Sequence, residues 1–281
     1  MTVSSGVIKE EALVLRSIRH GESSRIVTLF GAESGKIAVI AKGARRGKSG
    51  ATGGAIVPGN YIEAIIHCKP SRSVQILGQV SVINDFSAVK GDLILSVYSS
   101  AVIEMLQRCV GDDEPNKKLL AIALESLNNM NSLKQDPKIV FLKYLLGVLS
   151  TIGFELDPFT CPVCDSNPAE IGLDNILWME AGAICCHSCH PQAGNTIKLT
   201  GEFVRLLRFL SDGNSPALTR LKLSQSARKN LVGILEKFLR FHHPGLGSLP
   251  ALQMLHRFEE PVTTKIPDKI CPEIHAGALN E

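Results

Sequence analysis

Apolar residues alternate with polar ones through short segments of the first 87 positions, then recur at helical spacing through most of the remainder. EALVLRSI (Glu11–Ile18), RIVTLF (Arg25–Phe30), KIAVIA (Lys36–Ala41), NYIEAIIH (Asn60–His67) and VQILGQVSVI (Val74–Ile83) are rich in β-branched residues and predict five strands. His20-Gly21-Glu22-Ser23 and Ala32-Glu33-Ser34-Gly35 supply turns between the first three. The insertion after the third strand, residues 47–59, is glycine-rich and too polar to pack, so it is expected to be a mobile loop without a helix.

From Gly91 the period changes. Leu93, Val97, Ala101 and Leu106 fit a helix to about Val110, stopped by Gly111-Asp112-Asp113. Further helices are expected from Pro115 to about Asn129, from Pro137 through Gly153, and over Gly201–Leu210, Ser224–Phe241 and Pro250–Phe258. Leu231, Ile234, Leu235 and Phe238 share one face of the fifth of these and read as core. The class is therefore α+β. Residues 1–87 suit a five-stranded OB-fold barrel, whose closure removes exposed edges, with an open antiparallel sheet as the rival arrangement. An α-helical domain follows in two parts, 88–158 and 199–260, interrupted by a cysteine module at 159–198 and followed by a loose tail at 261–281.

Of the 281 residues only 5% are aromatic, which argues against a surface built from many base-stacking rings. MTVSSGVIKEEALVLR places acidic residues where a secretory peptide needs an apolar stretch, and no apolar run reaches spanning length, so a cytoplasmic location without membrane contact is expected. The eight cysteines should then be thiols or metal ligands. The net charge of +3 hides an asymmetry, because residues 1–81 carry 11 Lys/Arg against 5 Asp/Glu while the rest is net acidic. An anionic partner is expected on the N-terminal part.

Cys161-Pro-Val-Cys164 is followed, after 20 residues, by Cys185-Cys186-His187-Ser188-Cys189-His190. Paired Cys-x-x-Cys turns at this separation form a structural zinc site, one ion per chain, each turn aiming two sulfurs at the metal. Cys161, Cys164, Cys186 and Cys189 have the matching gaps, while Cys185, His187 and His190 are near enough to replace a ligand. Four thiolates leave no position for water, which argues against catalysis at the metal. His20-Gly21-Glu22 has the His-x-Glu form of a zinc deaminase, but its Pro-Cys partner is missing and these read as turn residues. Cys68, Cys109 and Cys271 are isolated, with no motif marking a nucleophile.

The densest positive charge lies in AKGARRGKSGATGG, residues 41–54, which holds Lys42, Arg45, Arg46 and Lys48. Gly47-Lys48-Ser49 copies the end of a nucleotide phosphate loop, but that loop needs a glycine where Lys42 stands. Contact with a nucleic-acid backbone is the reading retained, against a merely solvated loop. Arg16, Arg19, Arg25, Lys69 and Arg72 are secondary candidates. Lys222, Arg228, Lys229, Lys237 and Arg240 read as an exposed helix face.

ALVLRSIRHGESSRIVTLFGAESGKIAVIAKGARR, together with GFELDPFTCPVCDS and GAICCHSC, resembles the RecO family of bacterial recombination mediators. The resemblance implies a non-catalytic factor of the RecF pathway, at the nucleoid, that binds single- and double-stranded DNA and anneals complementary strands. It also implies work with RecR to place RecA on DNA coated by single-strand-binding protein. An adaptor whose basic barrel docks an acidic protein is the alternative.

Overall fold

The structure, a computed structural model, describes residues 6–44, 50–112, 114–168, 175–189, 191, 193–211 and 225–259. Strands β1 (Gly6–His20), β2 (Ser24–Gly31), β3 (Gly35–Ala41), β4 (Tyr61–Cys68) and β5 (Gln75–Asn84) close into a barrel in the order β1-β2-β3-β5-β4. Every pairing is antiparallel except β3 with β5, where Val39 faces Gln75 and Ile40 faces Ile76. β1 serves two neighbours. Gly6 to Leu13 pair with β4, Ala12 to His20 pair with β2, and an irregularity between Val14 and Arg16 bends the strand from one partner to the other. The interior is filled by Ala12, Val14, Val27, Leu29, Val39, Ile62 and Ile66, with burial of each large side chain stabilising by about 1.5–3 kcal/mol.

The strict alternation expected from Glu11 to Ile18 does not hold, because Ala12–Leu15 are buried without a break. Ala12 and Val14 fill the barrel, while Leu13 and Leu15, with Phe30, pack into the helical core outside it. Both faces of this strand are therefore dry.

The insertion after β3 also differs from its sequence reading. Residues Gly50–Ala55 form a short helix, α1, and Ala55 and Ile56 are buried, Ile56 within the barrel's apolar cluster. Asn60 explains why so glycine-rich a segment can fold. Its Nδ2 donates to the carbonyls of Gly54 at 3.0 Å and Ala55 at 2.9 Å, satisfying the exposed end of α1, and its Oδ1 accepts from Lys90.

Seven α-helices follow among the described residues: α2 (Ser87–Gly91), α3 (Leu93–Cys109), α4 (Lys117–Asn131), α5 (Pro137–Thr151), α6 (Gly201–Ser211), α7 (Gln225–His242) and α8 (Pro250–Glu259). Asp92, Asn116 and Asp136 cap α3, α4 and α5 through backbone N–H groups of Leu95, Leu119 and Lys138. The Asn116 cap starts α4 two residues beyond Pro115. α5 is buried nearly all round, through Ile139, Val140, Phe141, Leu142, Leu145, Val148 and Leu149, and so lies at the centre of the helices. Leu231, Leu235 and Phe238 of α7 are fully buried and Ile234 packs against the same core, matching their sequence reading. Residues 261–281, including Cys271, lie outside the described residues. Among the described residues no helix is long and apolar enough to cross a membrane.

The barrel is bonded to the helices. Lys36 Nζ donates to the carbonyls of Gln107 at 3.3 Å and Val110 at 2.8 Å, and pairs with Asp112 at 2.9 Å. A cation thus sits at the carbonyl end of α3, where the helix dipole favours it. Gly35, with φ +66°, lies against the backbone of Glu114, where a Cβ would come within 2.5 Å of a carbonyl, so no other residue fits.

Candidate metal centre and nucleic-acid interface

Between α5 and α6 the chain forms a three-stranded sheet, β7-β6-β8, from β6 (Asn175–Trp178), β7 (Ala183–Cys185) and β8 (Thr196–Leu199). One side of it, through Leu177, Met179, Ile184 and Leu199, joins the helical core. The other carries a small cluster whose buried members are Cys161, Cys185 and Cys186, with Ile176, Trp178 and Cys189 against them.

Two tight turns present the thiols. Asp165 N–H donates to the Cys161 carbonyl at 2.9 Å, and Cys189 N–H donates to that of Cys186 at 3.1 Å. The Sγ atoms of Cys161, Cys164, Cys186 and Cys189 all lie within 4.8 Å of one another. Cys164 and Cys186 are 3.7 Å apart, and two sulfurs on one tetrahedral ion with bonds of about 2.3 Å are separated by about 3.8 Å. The four thiols therefore fit a thiolate-bound metal. Cys185 is not among them: it is buried on β7, and burial first, then the neighbouring thiols, pushes it up to about 11. His187 is exposed and outside the group, and His190 lies outside the described residues.

The environment readies the ligands for a cation. Burial alone would raise Cys186, but hydrogen bonds from the Ser166 hydroxyl, the Ser188 N–H and neighbouring thiols bring it down to about 6. Cys161 is lowered despite its burial, because the N–H groups of Cys186, Val163 and Cys164 point at its sulfur. Cys189 moves up, because hydrogen bonds to Cys164 and Cys186 favour its thiol form. Lowering Cys161 and Cys186 favours the deprotonated form that metal binding requires.

Ser166 and two clamps were invisible in the sequence. Arg208 of α6 donates to the carbonyls of Pro158 at 2.6 Å and Phe159 at 2.9 Å, with its guanidinium over the Phe159 ring, and so holds the strand of chain that enters the first turn. His242 of α7 stacks on Phe154 and bonds the Met179 carbonyl at 2.8 Å, gripping the β6–β7 connection. In that connection Gly182 has φ +62°, and a Cβ there would lie 2.9 Å from the Glu155 carbonyl.

Of the basic candidates, Lys42 is exposed directly after β3, while Arg45, Arg46 and Lys48 lie outside the described residues. Arg16 and Arg19 are exposed on β1, Lys69 is exposed after β4, and Arg72 is half-buried beside it. Arg25 faces Arg19 across the β1–β2 pair, but its Nε is already committed to Ser17 Oγ at 2.8 Å. Those described residues thus gather around β1, β2 and the connections leaving β3 and β4. Lys237 is exposed on α7, whereas Arg240 is paired with Glu236 at 2.8 Å and bonds the Gly247 carbonyl. Lys222 and the side chains of Arg228 and Lys229 lie outside the described residues.

Comparison with known proteins agrees along most of the chain. Residues 4–86 match the family model of the recombination protein O N terminal, and residues 90–250 that of the recombination protein O C terminal. The DNA repair protein RecO of Desulfitobacterium hafniense (strain DSM 10664 / DCB-2) is 30% identical over 237 residues, 83% of this chain and 84% of its own. That of Salinibacter ruber is 25% identical over 237 residues, 84% and 88% of the two chains, and that of Anaeromyxobacter sp. (strain K) 28% over 235 residues, 84% and 91%. With both halves matched in order, the chain belongs to the RecO family of DNA repair proteins.

Proposed function

We propose that the chain is a non-catalytic recombination mediator whose barrel is an OB-fold that binds the backbones of single- and double-stranded DNA. The observation that carries this reading is the exposed Lys42 at the end of β3, from which the segment holding Arg45, Arg46 and Lys48 departs at the rim of a closed five-stranded barrel. Family membership supports it, as does the barrel's strand order. Phosphate contacts leave base edges able to pair. Cations on one protein that screen two backbones at once would let complementary strands anneal, a reaction driven by its own free energy. Arg16, Arg19, Lys69 and Arg72 extend the cationic surface, and Arg25 contributes charge while bonded to Ser17. In this reading the protein acts with RecR to place RecA on DNA coated by single-strand-binding protein, in the cytoplasm at the nucleoid.

The metal is zinc and its role is structural. Cys161, Cys164, Cys186 and Cys189 would hold one ion, which closes a module that has little apolar core of its own and binds no substrate.

Replacing Lys42, Arg45, Arg46 and Lys48 together by alanine tests the DNA reading. At roughly −0.7 per phosphate, loss of three or four contacts should reduce the salt slope for single strands by about 2 to 3, with affinity falling similarly for all sequences. Wild-type affinity with an unchanged slope would refute it.

A further inference from the structure

Cys185 is the thiol that the metal reading leaves over. It is fully buried at the end of β7, within the same cluster as Cys161 and Cys186, and its S–H donates to the Cys161 sulfur. Five thiols therefore meet where a tetrahedral site takes four. Their exposure differs. Cys161, Cys185 and Cys186 are buried and Cys189 is half-buried, whereas Cys164 faces solvent with its Sγ 3.0 Å from Ser166 Oγ and 3.7 Å from Cys186 Sγ. A solvent-facing sulfur beside a second one that can close on it is the arrangement of a reversibly oxidised cysteine pair.

Geometry also decides which sulfurs can join. Cys185 and Cys186 are neighbours in sequence, and consecutive Cα atoms stand about 3.8 Å apart, below the roughly 4.4–6.8 Å that a disulfide spans. Cys185 is thereby barred from Cys186, and the sulfur it touches is that of Cys161. The first turn and the end of β7 are thus matched sulfur for sulfur, Cys164 with Cys186 on the open side and Cys161 with Cys185 on the buried side. Cys189 stays outside both pairs.

We propose that the module is a site of reversible thiol oxidation by peroxides, which closes first a Cys164–Cys186 disulfide and then a Cys161–Cys185 disulfide in exchange for the ion. The disulfides rest on the sulfur positions alone, whereas the exchange rests on the metal reading above. In the first step the Cys164 thiolate attacks one oxygen of the peroxide, the O–O bond breaks and hydroxide leaves, giving a sulfenic acid. The Cys186 thiolate then attacks that sulfur, the S–O bond breaks and a second hydroxide leaves. Each sulfur has given up one electron and the peroxide has taken up two. With two of the four thiolates spent, the site no longer holds an ion, and the buried pair becomes reachable. A second peroxide joins Cys161 to Cys185 in the same way, the Cys185 proton leaving with hydroxide as water. Both bonds tie the two stretches of chain that an ion would tie, so one closure replaces another, and a dithiol reductant reverses it.

The test titrates the metal-loaded full-length protein with hydrogen peroxide, one and then two equivalents per chain, each quenched with catalase. A chromogenic chelator follows the ion, and alkylation after denaturation, read by mass spectrometry, shows which cysteines have stayed reduced. The first equivalent should release the whole of the ion and protect Cys164 and Cys186 from alkylation. The second should protect Cys161 and Cys185, leaving Cys189 labelled together with Cys68, Cys109 and Cys271. Trp178, the only tryptophan of the chain, packs against the cysteine cluster, and its emission should shift with the first equivalent and return with dithiothreitol. Cys185→Ala keeps the four ligands and should lose its ion as the wild type does, but leave Cys161 labelled after two equivalents. Protection of Cys161 in that variant, or labelling of Cys185 in the oxidised wild type, would overturn the buried pair. Loss of the Cys68, Cys109 or Cys271 thiols in place of the module's, or oxidation that dithiothreitol does not reverse, would overturn the site. Protein that carries no ion as purified yet forms both disulfides would remove the metal reading and keep the oxidation site. Protein that keeps its ion and all four ligand thiols would keep the metal reading and remove the oxidation site.

Discussion

The barrel and the cysteine module are both built mainly from antiparallel pairings, yet different physics holds each of them. Among the described residues, fourteen buried apolar side chains fill the barrel, from Ala12 to Leu77, whereas the inner cluster of the module has three buried members, all cysteines. A closed barrel shields the inner face of every strand and can stabilise itself by burial. The module's sheet uses one face to join the helices and places on the other little besides sulfur, Ile176 and Trp178. It is attached to α6 and α7 through Arg208 and His242, and in the reading proposed above the bond between metal and thiolate supplies the rest of its folding free energy. On the proposed reading, stability and chemistry separate accordingly: the module's four thiols would hold a structural ion, and the barrel carries the candidate DNA contacts.

The sharpest way to break this contrast is to remove the metal. Cys161→Ser, or chelation of the wild-type protein, should release the ion and lower the melting temperature by about 10 °C or more, since a buried ligand of a structural site is lost. Calorimetry with metal analysis checks it; an unchanged melting temperature in metal-free protein would remove the structural role. Ile62→Ala in the barrel interior should cost about 3 kcal/mol and leave metal content intact, measurable by urea unfolding with parallel metal assay. Lys36→Met should cost about 2 kcal/mol, because the carbonyls of Gln107 and Val110 lose their charged donor, and limited proteolysis should then cut between barrel and helices. Cys185→Ser should cost about 1 kcal/mol for placing a hydroxyl on a buried strand, with full metal retained. Loss of the ion in that variant would add Cys185 to the ligands.

The smallest effect expected is one of pH. Burial would raise the Glu236 carboxyl, but hydrogen bonds from His256 and Arg240 outweigh it and hold it below the ordinary glutamate value. A depressed folded value contributes stability that is present above the unfolded value and is lost as pH falls through the folded one. The acid limb of the stability profile should therefore be shallower below about pH 4.5 in Glu236→Gln, as followed by circular dichroism. An unchanged limb would show that the link between α7 and α8 adds nothing.

The strands and helices were legible because their apolar residues recur at periods of 2 and 3.6, and the four thiols because their spacing expresses the geometry of two turns. What escaped was non-local. Nothing in GATGGAIVPGN says that Asn60 will satisfy the end of a helix formed by its glycines. Leu13 and Leu15 look like half of an alternating strand until the helices cover them. Arg208 reaches the chain entering the first cysteine turn from fifty positions away, a contact that no spacing rule connects.

Annealing of complementary oligonucleotides, with and without single-strand-binding protein, tests the central claim most directly. It should be run on wild type, on the alanine variant at Lys42, Arg45, Arg46 and Lys48, and on Cys161→Ser at a temperature where that variant remains folded. The account predicts annealing by the wild type without any nucleotide, its loss in the alanine variant, and its survival in the metal-free protein. Annealing that persists without the four cations but vanishes with the metal would contradict it.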